Sequence, residues 1–304
     1  RVLWQQTPTC ILLTPLIPIA LICNISFGLP QRRNSTMREA FLQFINYLRF
    51  YTTSILTFSS EFAKMQILKR RGCMHKQNRD QFAKRLNRGV AIIPSATPSI
   101  RTHNMEYPYR QNSNFYYLTG FEEPNSICVI APNHPEHQFI MFVQPRNRER
   151  EIWDGKRVGI DGVIEDFGAD VGFPISEFDQ KIPDYINETE RIYYAFDNGA
   201  LDQKIIGFIQ QNRHTRSTKG IGPNTIIDPS EFFAEMRVIK NEEEICRIRR
   251  ATEITADAHL AAMRVARPGM YEYEIAALIE SIYHQAKQSY PGYKTILASG
   301  QNAT

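Results

Sequence analysis

The sequence predicts an α/β protein in which a mixed sheet is flanked by helices and a second, helix-led domain follows. Two observations carry that expectation. Short apolar runs such as Val90–Ile93, Ser126–Ala131 and Gln138–Gln144 have the length and composition of buried strands. Segments between and after them, such as Arg79–Asn87 and Leu201–Asn212, space their apolar residues as helices do. Alternation of the two types places helices on the faces of a sheet, and 304 residues with 42% hydrophobic content can fill more than one core.

The opening reads differently from the rest. Cys10–Leu29 is apolar, but Pro15, Pro18 and Asn24 interrupt the stretch that a spanning helix would need. A secretory leader is not indicated either, because one Arg precedes the run and Cys23–Asn24–Ile25–Ser26 makes a poor cleavage site. Residues 1–73 are therefore expected to be an extension outside the functional fold, disordered or preceding a natural start at Met65 or Met74. Within it, Arg38–Ser60 could form a short amphipathic helix. Up to Gly72 there are nine Lys or Arg against two acidic residues; thereafter 27 basic residues face 30 acidic ones. The net charge of +4 thus belongs to the extension, and the slightly acidic body has no footprint for nucleic acid. Cys10, Cys23, Cys73, Cys128 and Cys246 are odd in number and far apart, without a CxxC pair. That pattern argues against a disulfide framework or structural zinc and favours a reducing, cytoplasmic setting.

From Gln77 onward the elements follow in order. Phe82 and Leu86 share one face of a helix over Arg79–Asn87, which Gly89 stops, and Pro94 ends the strand Val90–Ile93. Asn104–Glu123 is dense in aromatics and predicts a strand over Phe115–Leu118, ending in a Thr119–Gly120 turn. The Asn133–His137 turn joins the next two strands; its His134 and His137 sit at a solvated tip without a third ligand, so no metal pair is expected there. Arg191–Ala195 is a strand, Leu201–Asn212 a helix and Asn224–Ile227 extended. Asn241 followed by Glu244 is a capping box, with Glu242 and Glu243 suited to the positive end of the helix dipole. Ile245, Ile248, Thr252, Thr255, Ala258, Ala262 and Val265 continue as a stripe at helical spacing until Pro268–Gly269. A second helix over Glu272–Lys287 and a strand over Tyr293–Ala298 complete the reading.

Residues 110–120, RQNSNFYYLTG, resemble the R-Q-x-S-x-F-x-Y-L-T-G signature of the amino-terminal domain of aminopeptidase P, in the creatinase and prolidase clan. Further matches follow in the family's order. Arg148–Gly159 resembles its E-x-W-x-G-x-R element, and Glu235–Lys240, Glu242–Ala258, Arg267–Glu272 and Tyr290–Asn302 resemble the beginning of its pita-bread domain. The resemblance covers roughly Met74–Thr304 and divides the chain into the extension 1–73, the amino-terminal domain 74–238 and an incomplete pita-bread domain 239–304.

The resemblance implies an Xaa-Pro aminopeptidase that uses two manganese ions, acts on peptides with proline second and assembles as a homo-oligomer, a dimer or tetramer. It places the metal ligands, two Asp, one His and two Glu, after Thr304, so no catalytic or metal-binding residue is expected in the chain. Two substrate-binding candidates remain. Trp153 matches a tryptophan that reaches towards a neighbouring subunit's proline pocket, its alternative being a half-buried sheet residue. Tyr293 matches a tyrosine near the metals, its alternative being core packing. Prolidase, and a non-catalytic binding or oligomerisation module, are the competing readings.

Overall fold

The computed structural model describes residues 74–286 and 291–303, all within one compact unit, Lys64–Thr304. The expectations for residues 1–73 lie outside the described residues.

Six strands form one mixed sheet in the order β6-β5-β4-β1-β7-β8. They are β1 (Gly89–Pro94), β4 (Ile127–Ile130), β5 (Phe139–Val143), β6 (Val171–Pro174), β7 (Arg191–Tyr193) and β8 (Thr225–Ile227); β2 (Ile100–Thr102) and β3 (Met105–Glu106) make a separate hairpin. β1–β4 and β4–β5 are antiparallel, whereas β1–β7, β5–β6 and β7–β8 are parallel. Continuous burial of β1, β4 and β5 follows from helices covering both faces.

Alternate side chains serve the two layers. Ala91, Ile93, Cys128, Ile130, Met141 and Val143 face one core, shared with Phe82, Phe115, Leu118 and Phe233. Val90, Ile92, Val129, Ile140 and Phe142 face the other, shared with Phe178, Ile182, Ile186, Leu201 and Ile205. The first layer is built from helix α1 (residues 74–83), α2 (Ser113–Thr119), α4 (Gly159–Glu165) and α7 (Ser230–Val238), and the second holds α5 (Phe178–Ile186) and α6 (Gly199–Lys219); α3 (Arg148–Asp154), between β5 and α4, is largely exposed.

Residues Phe115–Leu118 are helical, which corrects the expected aromatic strand. Strand preference is worth little beside capping. Asn112 Oδ1 accepts from the Asn114 and Phe115 N–H groups at 2.9 and 3.1 Å. At the other end Gly120, with φ of +68°, donates its N–H to the Tyr116 carbonyl. The helix predicted over Arg79–Asn87 instead covers 74–83 and gives way to turns, and α6 runs well past the predicted Asn212.

Helix α8 (Glu242–Val265) starts at the predicted cap, where Asn241 Oδ1 accepts from Glu244 N–H and Glu244 Oε2 from Asn241 N–H, both at 2.9 Å. It packs on α9 (Glu272–Gln285) around Ala258, Ile275 and Ile279. The rest of its predicted stripe is less buried: Ile248 and Val265 are exposed. Tyr293–Ala298 is not a strand. No strand among the described residues lies beside it to take up ladder hydrogen bonds, and β pairing needs a neighbour. Among the described residues no helix is long and apolar enough to cross a membrane.

Candidate functional site

Trp153 lies on α3, and its indole is 87% exposed. The half-buried sheet position considered for it is therefore not what the fold provides. Asn147 caps the seven-residue helix by accepting from the Glu149 and Arg150 N–H groups. Ile152 beside Trp153 is 79% exposed, so the helix displays two large apolar side chains to solvent.

The turn after α3 is held by carboxylates. Glu151 binds Arg146 in a two-pronged ion pair, from Nε at 2.9 Å and from Nη2 at 3.0 Å. Those hydrogen bonds hold the Glu151 carboxyl below the usual range. Its Oε1 also accepts the Arg157 N–H at 3.4 Å. Glu123, from the loop after α2, accepts the Val158 N–H at 2.7 Å. Burial pushes the Glu123 carboxyl up, opposed by that hydrogen bond and by the charge of Arg157. Around these groups lies a cavity of about 460 Å³, lined in part by Glu106, Glu123, Gln144, Arg150 and Arg157.

Most of the signature 110–120 is structural. Gln111 Oε1 accepts the Ala96 and Asn112 N–H groups, each at 2.8 Å, while its Nε2 donates to the Phe121 and Glu123 carbonyls at 3.2 and 3.1 Å. One amide thereby fixes four backbone groups and sets where Glu123 stands. Arg110 Nη1 donates to the Gly292 carbonyl at 2.8 Å, tying the signature to the segment that carries Tyr293. These groups border an 850 Å³ cavity with Tyr109, Tyr116, Arg237, Glu244 and Arg247.

Tyr293 is 77% exposed and lines a cavity of about 470 Å³ with Ile254, His259, Met263, Ile279 and Ile296. Core packing, its alternative, does not describe it. Trp153 lines none of these three cavities, so the two candidates are not brought together. His134 and His137 stack at the turn, rings 5.6 Å apart, and His134 Nδ1 accepts the Glu136 and His137 N–H groups. Among the described residues no three His, Cys, Asp or Glu side chains converge as a metal site. Glu243 and Glu244 are engaged by Arg247 and by the α8 cap.

The comparisons with known proteins fall on the same residues. Residues 75–193 match the aminopeptidase P, N-terminal domain model, and residues 246–304 match metallopeptidase family M24. Over 230 residues the chain is 35% identical to the Xaa-Pro aminopeptidase of Escherichia coli K12, covering 75% of this chain and 52% of that protein. The chain belongs to the aminopeptidase P family. A second relative, the Xaa-Pro aminopeptidase of Haemophilus influenzae, is 28% identical over 222 residues, covering 73% of this chain and 49% of its own length. The Pseudomonas aeruginosa aminopeptidase PepP structure superposes with a TM-score of 0.73 at 34% identity, covering 76% of this chain and 53% of that one. Proline aminopeptidase P II from Yersinia pestis gives 0.70 at 33% identity, covering 76% and 54%. The chain thus spans about half the length of these aminopeptidase P relatives.

Sequence reasoning missed Gln111, Glu123 and Glu151 as the residues that organise this surface. The pattern offered only the string in which they occur; a polar residue pinning distant backbone leaves no periodic trace.

Proposed function

We propose that the chain is the amino-terminal part of a manganese-dependent Xaa-Pro aminopeptidase, which releases the first residue of peptides whose second residue is proline. The observation that carries the reading is the 35% identity to an Xaa-Pro aminopeptidase maintained over 230 residues. Matches to both domain models in one chain support it.

In this reading residues 74–238 are the amino-terminal domain, and residues 239–304 begin the metallopeptidase domain. Trp153 supplies a wall of a neighbouring subunit's proline pocket within a homo-oligomer. Its exposure beside Ile152 suits that role, because an indole against a proline ring is a flat apolar contact. Tyr293 stands near the two metal ions. A pair of divalent ions would activate water and polarise the carbonyl of the hindered bond to proline. The described residues do not form a donor set for such a pair, so no step is assigned to them and the chain 1–304 is proposed to be inactive alone. Free Cys128 and Cys246 suit a cytoplasmic setting.

The test is hydrolysis of Arg-Pro and Gly-Pro peptides with added manganese. Purified 1–304 should release no amino-terminal residue; a protein joining it to a family carboxy-terminal portion should. Turnover by 1–304, or none by the joined protein at confirmed manganese loading, would overturn the reading.

A further inference from the structure

We propose that Glu123 is a positioning residue for Trp153, acting through the turn that closes α3. The proposal rests on the peptidase reading only for what Trp153 meets; the positioning itself rests on geometry. At 87% exposure Trp153 has almost no packing of its own to orient it. Its direction is inherited from α3, a helix of seven residues and too short to be stable alone.

What holds that helix end is a pair of backbone clamps made by carboxylates from two elements. Glu151, within α3, takes the Arg157 N–H at 3.4 Å, and Glu123, from the loop after α2, takes the Val158 N–H at 2.7 Å. Arg157 Nη1 adds a bond to Gln144 Oε1 at 3.1 Å, just past β5. The Glu123 clamp is the shorter of the two backbone bonds and anchors the turn to a different part of the chain. Its other oxygen, Oε2, is buried without a hydrogen-bond partner. Leaving such an atom buried is costly, so the carboxylate is not there for its own stability. It holds the turn, and with it the base of the Trp153 helix.

The chain contains two tryptophans, Trp4 and Trp153, so Trp4→Phe leaves Trp153 as sole reporter. In that background Glu123→Ala should increase the amplitude of fast local motion in the time-resolved anisotropy of Trp153. Trypsin cleavage after Lys156 and Arg157 should rise about tenfold relative to the other sites, as expected for one lost hydrogen bond to a charged group. Glu123→Gln should restore both readouts, because its amide oxygen can accept the Val158 N–H. Should Glu123→Ala not fold, Val158→Pro removes the donor instead at a residue whose φ of −61° already suits proline; the same rise is expected in the anisotropy and in cleavage after Lys156, the bond after Arg157 being closed to trypsin once proline follows it. Unchanged anisotropy and cleavage, an equal rise at every tryptic site, or a Gln variant that behaves like Ala would overturn the proposal. None of these readouts needs turnover, so their failure would leave the peptidase reading standing, and the reverse.

Discussion

The guanidinium of Arg79 sits 3.9 Å above the ring of Phe139 and donates from Nη1 to the Leu118 carbonyl at 2.9 Å. Two neighbours on α1 do similar duty: His75 Nδ1 and Asn78 Nδ2 both donate to the Tyr117 carbonyl at 3.0 Å. The last carbonyls of a helix have no partner within it, and here the side chains of α1 satisfy those of α2. Arg79 also places positive charge at the negative end of that helix. Arg79→Leu should lower stability by about 2–4 kcal/mol, through a stranded Leu118 carbonyl and the lost cation–π contact. Comparison of urea unfolding midpoints measures it, and a loss under about 1 kcal/mol would mean that the carbonyl finds water instead.

Gly120 ends the same helix and allows a comparison of strain with crowding. Gly120 and Gly220, the caps of α2 and α6, have φ of +68° and +73°, in the left-handed region that penalises a Cβ. A Cβ at Gly220 would meet nothing within 4 Å, whereas one at Gly120 would lie 2.6 Å from the buried His75 ring. Gly220→Ala should therefore cost about 1 kcal/mol, the left-handed penalty alone. Gly120→Ala should cost at least about 2 kcal/mol more, because the ring bonded to Tyr117 must move. Thermal unfolding of the two variants side by side decides it, and equal losses would show that His75 yields freely.

Much of the fold was legible because its signals are local. The sheet strands read from apolar runs are strands, and the Asn241–Glu244 cap is made as its spacing foretold. The aromatic segment misled for a physical reason: Phe and Tyr favour strands weakly, while Asn112 and Gly120 lie just outside the run and decide its ends. Tyr293–Ala298 has strand composition, yet strand pairing is non-local, and no neighbouring strand is present among the described residues. The candidate site was visible as a motif around Trp153. Its supports were not, since Glu123 and Val158 are brought together across 35 residues by the fold.

Cysteine reactivity should separate two thiols that the sequence alone does not distinguish. Cys128, on β4, is fully buried, and burial pushes its thiol up to about 12, with the charge of Arg79 opposing that shift. At pH 8 it is protonated and enclosed, hence neither nucleophilic nor reachable. Cys246, near the start of α8, is exposed. Brief alkylation of the native chain with iodoacetamide, followed by peptide mapping, should modify the Cys246 peptide and leave the Cys128 peptide unmodified. Labelling of both at similar rates would mean that β4 opens far more often than its burial implies.

The segment beyond Tyr293 meets α9 through Leu297, packed on the cluster of Ile275 and Ile279, and at its far end, residues 299–302, through the Glu272 carboxylate, which makes that end dependent on pH. Glu272 Oε1 accepts from Ser299 N–H at 2.7 Å, from Ser299 Oγ at 3.0 Å and from Asn302 Nδ2 at 3.2 Å. Hydrogen bonds from Asn302, then from the Ser299 amide and hydroxyl, hold the carboxyl below its ordinary value of 4.5. A carboxylate depressed in the folded state stabilises fully above its unfolded value and stops doing so as pH falls through its folded one. Attachment of residues 299–302 should therefore be complete at neutral pH, persist to pH 4.5 and loosen only below it. Chemical shifts of the Ser299 and Asn302 amides, followed by NMR from pH 7 to pH 3, should move together in that lower window. In Glu272→Gln the transition should vanish, because the amide has no proton to gain there. A midpoint above 4.5, or an unaltered transition in the Gln variant, would show that another group governs the segment.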